Sequence, residues 1–145
     1  MMIEPGAQAP DFALPADDGS TVRLGDLRGR NVVIFFYPRD DTPGCTIEAR
    51  EFGEAYPRFQ ALDTVVLGIS TDGVESHVRF RTKFGLPYPL LVDEGHAVAD
   101  AYGVWGGQRN VRSHFVIDEN GNLADLQIQV TPEDSVARAL QAIAG

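Results

Sequence analysis

Hydrophobic and polar positions along this chain fall into blocks whose period switches between strand-like and helical. Val32-Val33-Ile34-Phe35-Phe36-Tyr37 is a continuous β-branched and aromatic run, the pattern of a strand covered on both faces within a parallel sheet. Pro38-Arg39-Asp40-Asp41-Thr42-Pro43-Gly44 follows as a breaker-rich loop, and from Cys45 to about Leu62 the apolar residues Ile47, Phe52, Tyr56 and Phe59 recur near helical spacing. Pro57 falls inside that helix and removes a backbone donor, which predicts a kink or short break near Ala55 and Tyr56. Thr64-Val65-Val66-Leu67-Gly68-Ile69 reads as a second buried strand, and Ser70, Thr71 and Asp72 mark the start of a helix from about Val74 to Phe84.

The remaining elements are shorter. Leu90-Leu91-Val92 is a third strand, 97–102 a short helix, and Phe115-Val116-Ile117 with 123–130 a hairpin around Asp118-Glu119-Asn120-Gly121-Asn122. Thr131-Pro132-Glu133-Asp134 opens a last helix, with Thr as cap, Pro at the first turn and acids at the positive end of the dipole. Before the central strand, 11–15 and 21–24 flank the turn residues Asp17-Asp18-Gly19-Ser20 and read as an N-terminal hairpin. Strands alternating with helices, closed by a hairpin and a helix, predict an α/β fold with a central mixed sheet flanked by helices.

Composition narrows the function. The length of 145 residues suits one domain spanning 1–145, and 43% hydrophobic with 23% charged residues is ordinary for a folded soluble chain. Twelve Lys and Arg stand against 21 Asp and Glu, so the net charge of −9 disfavours nucleic acid and anionic membrane surfaces as partners. The start lacks the basic flank and apolar stretch of a secretory signal, and no run is long enough to span a bilayer, so the cytoplasm is the expected location. The single cysteine, Cys45, excludes an internal disulfide, a Cys-x-x-Cys pair and a thiolate-rich zinc site.

The layout delivers that cysteine to a helix N-terminus at the carboxyl end of the sheet, where open α/β sheets bind ligands. Free N–H groups and a partial positive charge there favour a thiolate, the nucleophilic form. Taken alone, a lone cysteine is more often a small buried hydrophobe. The surrounding residues change this reading. Pro38, Thr42 and Cys45 occupy the three fixed positions of Pro-x-x-x-Thr/Ser-x-x-Cys, and on that motif the chain resembles the peroxiredoxin family. Phe36-Tyr37-Pro38, 40–46 and Glu48-Ala49 are similar to its bacterioferritin comigratory protein, or peroxiredoxin Q, branch. The similarity continues through 84–93, 102–106 and 112–118, nearly the whole chain.

The resemblance implies a thioredoxin-like fold with an added N-terminal segment, and a thiol-dependent peroxidase acting on hydrogen peroxide and organic hydroperoxides without metal, haem or flavin. Cys45 would attack a peroxide oxygen and become a sulfenic acid. The Thr42 hydroxyl would bond the peroxide, the amides of Gly44 and Cys45 would stabilise charge on the leaving oxygen, and Pro38 would wall the pocket against water. Arg112 matches the family arginine through the block that follows it, its guanidinium holding both thiolate and peroxide; a gap in the shortened 105–112 connection would put Arg109 there instead. Glu48, one turn after Cys45, would orient that arginine or else lie on a solvated helix face. His77, His96 and His114 show no metal-ligand spacing and read as surface or edge residues, while Phe80 and Trp105 are expected to pack the edge of the site.

One departure bears on the catalytic cycle. Many members of the branch carry a second, resolving cysteine five residues after the reactive one, and here that position is Arg50. An oxidised Cys45 must then be reduced by an outside thiol: thioredoxin, glutaredoxin or a low-molecular-weight thiol. The same lack supports an alternative, a peroxide sensor or thiol-dependent binding protein with poor turnover, while a passive interaction module fits least because Thr42 and Arg112 are both present. A monomer or small dimer is expected, since the chain shows no long C-terminal extension of the kind that supports ring assemblies.

Overall fold

The computed structural model describes residues 3–144; Met1 and Met2, part of the chain start judged above, and Gly145 lie outside the described residues. The predicted central strand is β3 (Asn31–Phe36). Its side chains alternate between two cores, Val32, Ile34 and Phe36 on one face and Val33 and Phe35 on the other, with Tyr37 continuing the second set. Burial on both faces is why this segment has no polar alternation in sequence.

Around β3 the sheet order is β5 (Leu90–Val92), β4 (Thr64–Ser70), β3, β6 (Ser113–Ile117) and β7 (Leu123–Ile128). β3 pairs parallel with β4 and β4 with β5, whereas β6 runs antiparallel to both β3 and β7. One face is covered by α1 (Pro43–Ala61), α2 (Val74–Phe84) and α4 (Pro132–Ala144), which contribute Phe52, Phe59, Phe80 and Val136 to a common core. The other is covered by α3 (Ala97–Ala101) and by the N-terminal hairpin of β1 (Ala13–Pro15) and β2 (Thr21–Arg23), whose Leu14 joins Phe36, Tyr102 and Phe115. Stacking of Phe35 on Phe52, with centroids 4.5 Å apart, fixes α1 over the central strand. No helix among the described residues is long and apolar enough to cross a membrane.

Several expectations need correction. α1 begins at Pro43, two residues earlier than expected, because Pro43 suits the first helical position and Thr42 takes the extended cap conformation. Pro57 does not break the helix, which continues to Ala61, since the packing of Phe52, Ala55 and Phe59 outweighs one missing donor. β7 stops at Ile128 because Gln129 turns to a left-handed φ of 61°. His77 and His114 are not at the surface or an edge: both are wholly buried. Each is placed there by polar partners, Asp40 and the Leu91 carbonyl for His77 and Ser135 for His114. Only His96 is partly exposed, its ring stacked at 4.1 Å on Trp105. Phe80 packs in the core that contains Cys45, but Trp105 packs against the opposite core and so does not edge the site as expected.

Candidate active site

The carboxyl ends of β3 and β4 release two loops, 37–42 and 71–73, on the same edge of the sheet. β6 runs the other way, and its first residue, Ser113, pairs with Phe36, the last of β3. Arg112, one residue before, is thereby brought to the edge where α1 begins. Three segments distant in sequence meet there for topological reasons.

Cys45 sits in the first turn of α1 and is 1% exposed. The Nη2 of Arg112 lies 3.4 Å from its Sγ, and the Nη1 donates to Glu48 Oε1 at 2.8 Å. One planar guanidinium therefore faces both the sulfur and the carboxylate one turn later, a task for which a single-point lysine is poorly shaped. Arg109 is exposed on the loop, so the geometry selects Arg112 between the two candidates. Gly44 also leaves room at the helix start. A Cβ there would stand 3.0 Å from Arg112 Nη2, a tight approach to which the guanidinium would have to give way slightly.

Thr42 holds the cap position but its side chain does not cap the helix. The hydroxyl instead donates to the Arg39 carbonyl at 3.0 Å. Because the first turn of the ladder is Thr46 N–H to Thr42 O, the amides of Gly44 and Cys45 have no intrahelical acceptor. The Thr42 oxygen keeps its acceptor capacity, and the two amides are left as donors beside the sulfur. Pro38, half-buried, opens the loop just after β3.

Glu48 is fully buried, contrary to the solvated alternative, and its Oε2 has no hydrogen-bond partner among the described residues. Burial pushes its pKa up to about 7, although Arg112 and the nearby Ser135 hydroxyl pull the other way. Burial works against the charge of Arg112 too, but Glu48 and Cys45 outweigh it and its pKa is raised. The Ser135 hydroxyl meets His114 Nδ1 at 3.0 Å, and burial lowers the His114 pKa to about 4, so that ring is neutral near pH 7.

A second polar cluster, missed in the sequence, lies on the other side of the loop. Asp40 Oδ1 accepts from the Tyr37 hydroxyl at 2.6 Å, and Oδ2 accepts from Ser76 at 2.8 Å and faces His77 Nδ1 at 2.7 Å. One signal was available: His77, Phe80 and Phe84 share helical spacing, which puts His77 on the apolar face of α2.

Comparison with known proteins identifies the family. The sequence pattern of the AhpC/TSA family matches residues 5–126. The chain belongs to that family. It is 43% identical over 151 residues to peroxiredoxin Bcp of Bacillus subtilis (strain 168), covering 99% of this chain and 96% of that protein. Peroxidoxin BcpB from Mycobacterium tuberculosis superposes with a TM-score of 0.92 at 33% identity, covering 99% of this chain and 97% of that one. A Xanthomonas campestris bacterioferritin comigratory protein does so with a TM-score of 0.89 at 29% identity, covering 97% and 98%. The chain is thus a peroxiredoxin of the Bcp and Q branch with the thioredoxin-like fold, a thiol-dependent peroxidase in which one cysteine is the redox-active residue. Its reaction takes a peroxide and a thiol reductant.

Proposed function

We propose that Cys45 is the peroxide-attacking nucleophile, that Thr42, Gly44, Arg112 and Pro38 form the peroxide site, and that Glu48 holds Arg112 in position. The observation that carries this reading is the Arg112 guanidinium spanning Cys45 Sγ and Glu48 Oε1 beside two free helix amides. The hydroperoxide O–H donates to the Thr42 oxygen, whose own proton is committed to Arg39. The Cys45 thiolate attacks that hydroxyl oxygen, the S–O bond forms as the O–O bond breaks, and sulfur is oxidised by two electrons. The leaving alkoxide, or hydroxide from hydrogen peroxide, is met by Arg112 and the amides and takes up a proton to become alcohol or water. Pro38 closes the pocket with a residue that offers water no N–H.

With Arg50 where relatives keep a resolving thiol, the sulfenic acid is released by an outside thiol. A first thiol condenses with it to a mixed disulfide and water, and a second thiol attacks that disulfide to restore Cys45. The acceptable reductants are thioredoxin, glutaredoxin or a low-molecular-weight thiol, and the acting unit is a monomer or small dimer. Organic hydroperoxides belong to the substrate range, a reading supported by the alkyl peroxide reduction activity for which the Xanthomonas campestris relative is known. The test is mass spectrometry of Cys45 after repeated one-equivalent additions of peroxide, with each thiol added separately. A sulfenic acid that one of these thiols returns to thiol over many cycles is expected. A single oxidation that none of them reverses would favour the peroxide-sensor alternative.

A further inference from the structure

We propose that Asp40 and His77 form a buried carboxylate–imidazolium pair that positions the peroxide loop, residues 37–42, against Cys45. The proposal rests on the reading of Pro38 and Thr42 as peroxide-site residues and adds two positioning residues to it.

Hydrogen-bond logic places the proton. His77 Nε2 stands 2.8 Å from the carbonyl oxygen of Leu91, which has no hydrogen to give, so Nε2 carries one. On the other side, Nδ1 faces Asp40 Oδ2, an atom that already accepts from Ser76, while Oδ1 accepts from Tyr37. With both carboxylate oxygens taken by donors, the shared proton belongs on Nδ1, and the ring bears two N–H groups and a positive charge. Beside the ionised Asp40 carboxylate, a neutral ring would set two acceptors face to face at one of these contacts. Burial alone would disfavour the charge, but the Asp40 hydrogen bond and carboxylate outweigh it, and the His77 pKa lies above the ordinary value.

The pair sits where it controls geometry. The side chains of Asp40 and His77 are 3% and 0% exposed, and together they tie the loop to α2 and, through Leu91, to β5. The Asp40 N–H also donates to Asp72 Oδ2 at 2.8 Å, itself held by the Ser70 hydroxyl at 2.6 Å, which adds the loop after β4. Asp40 thus gathers direct partners from three segments: its own loop, the loop after β4, and α2. Pro38 lies two residues before it and Thr42 two after, with Asp41 between them in a left-handed φ of 56°. Cys45 is fixed separately, by the packing of α1, so any movement of Asp40 shifts the peroxide partners relative to the sulfur. Facing atoms of Asp40, Asp72 and His77 lie within 4.8 Å of one another, a metal-like grouping. The oxygens and nitrogens that converge are engaged by protein donors and acceptors, which makes the cluster a closed hydrogen-bonded clamp.

The test compares wild type with Asp40→Asn, His77→Asn and Thr42→Val, all reduced. Nitrogen NMR of labelled histidine at pH 7.5 should show both His77 nitrogens protonated in wild type and Nδ1 unprotonated in Asp40→Asn, where the amide donates instead. Stopped-flow oxidation of Cys45 by hydrogen peroxide should slow at least tenfold in Asp40→Asn and His77→Asn, while alkylation of Cys45 by iodoacetamide changes less than twofold, because Arg112 and the helix start are untouched. A fold defect would slow or speed both reactions together, and that result would overturn the proposal, as would a neutral His77 in wild type. If Thr42→Val reacts with peroxide at the wild-type rate, the peroxide-site reading fails. If Thr42→Val is slow and Asp40→Asn is not, the positioning role alone fails. Should Asp40→Asn not fold, Tyr37→Phe removes one of its three donors and should lower the peroxide rate about threefold with alkylation unchanged; equal rates would overturn the proposal.

Discussion

Replacing Glu48 by Gln should stabilise the protein near neutral pH and leave it unchanged in acid. The folded-state pKa of Glu48, about 7, lies above its ordinary value of 4.5, so between those values the folded state binds a proton that the unfolded state has released. Stability from this group is therefore present below pH 4.5 and declines as pH rises toward 7, by about 1.4 kcal/mol per unit and about 3 kcal/mol in all. His114 works in the opposite sense. Its folded pKa, about 4, lies below 6.5, so stability is present above 6.5 and declines as pH falls toward 4, by a similar amount. In wild type the two slopes oppose each other between pH 4.5 and 6.5.

The side-chain amide introduced by Glu48→Gln keeps an acceptor for Arg112 and carries no charge, so it removes the first slope only. Urea unfolding of reduced protein, followed by far-UV circular dichroism at pH 4.5, 5.5, 6.5 and 7.5, gives the difference between variant and wild type, in which the other titrating groups cancel. Circular dichroism is preferred to fluorescence because it follows the whole fold, whereas the one tryptophan, Trp105, reports on its stack with His96. The difference should be near zero at pH 4.5 and reach about 3 kcal/mol in favour of the variant at pH 7.5. A difference that stays constant within about 0.5 kcal/mol would mean that Arg112 offsets the burial of Glu48 completely, and the reasoning would fail.

Arg112→Ala should lower the rate of Cys45 oxidation by peroxide at least tenfold, roughly 1.4 kcal/mol, with Arg109→Ala at the wild-type rate in the same stopped-flow assay. Gly44→Ala should also slow that reaction, because its Cβ would meet Arg112 Nη2 at 3.0 Å and push the guanidinium off the sulfur; a companion Gly95→Ala, whose Cβ meets nothing, should not. Excess peroxide without reductant should carry Cys45 on to sulfinic acid, and Arg50→Cys should reduce that overoxidation and raise turnover with thioredoxin as the sole reductant, read by mass spectrometry and coupled assay. Equal values in both proteins would show that the missing resolving cysteine does not govern the cycle.

Local sequence was sufficient for most of the elements and for half of the site. The β-branched and aromatic run from Val32 to Tyr37 reads as a strand covered on both faces, and Pro38, Thr42, Gly44 and Cys45 are close enough in sequence that one loop and one helix start place them. Tertiary structure decided what depends on long-range register. Arg112 rather than Arg109 reaches Cys45 because β6 pairs antiparallel with β3 and begins opposite Phe36, a pairing between segments more than seventy residues apart. His77 and His114 read from the sequence as surface or edge residues and Glu48 is open there between orienting Arg112 and a solvated face, and whether each is buried depends on a partner from another element: Asp40, Ser135 and Arg112. Charge and hydrogen-bond partners across the fold carry no local periodicity, so only the assembled chain reveals that these side chains are held inside and which of them faces the reactive sulfur.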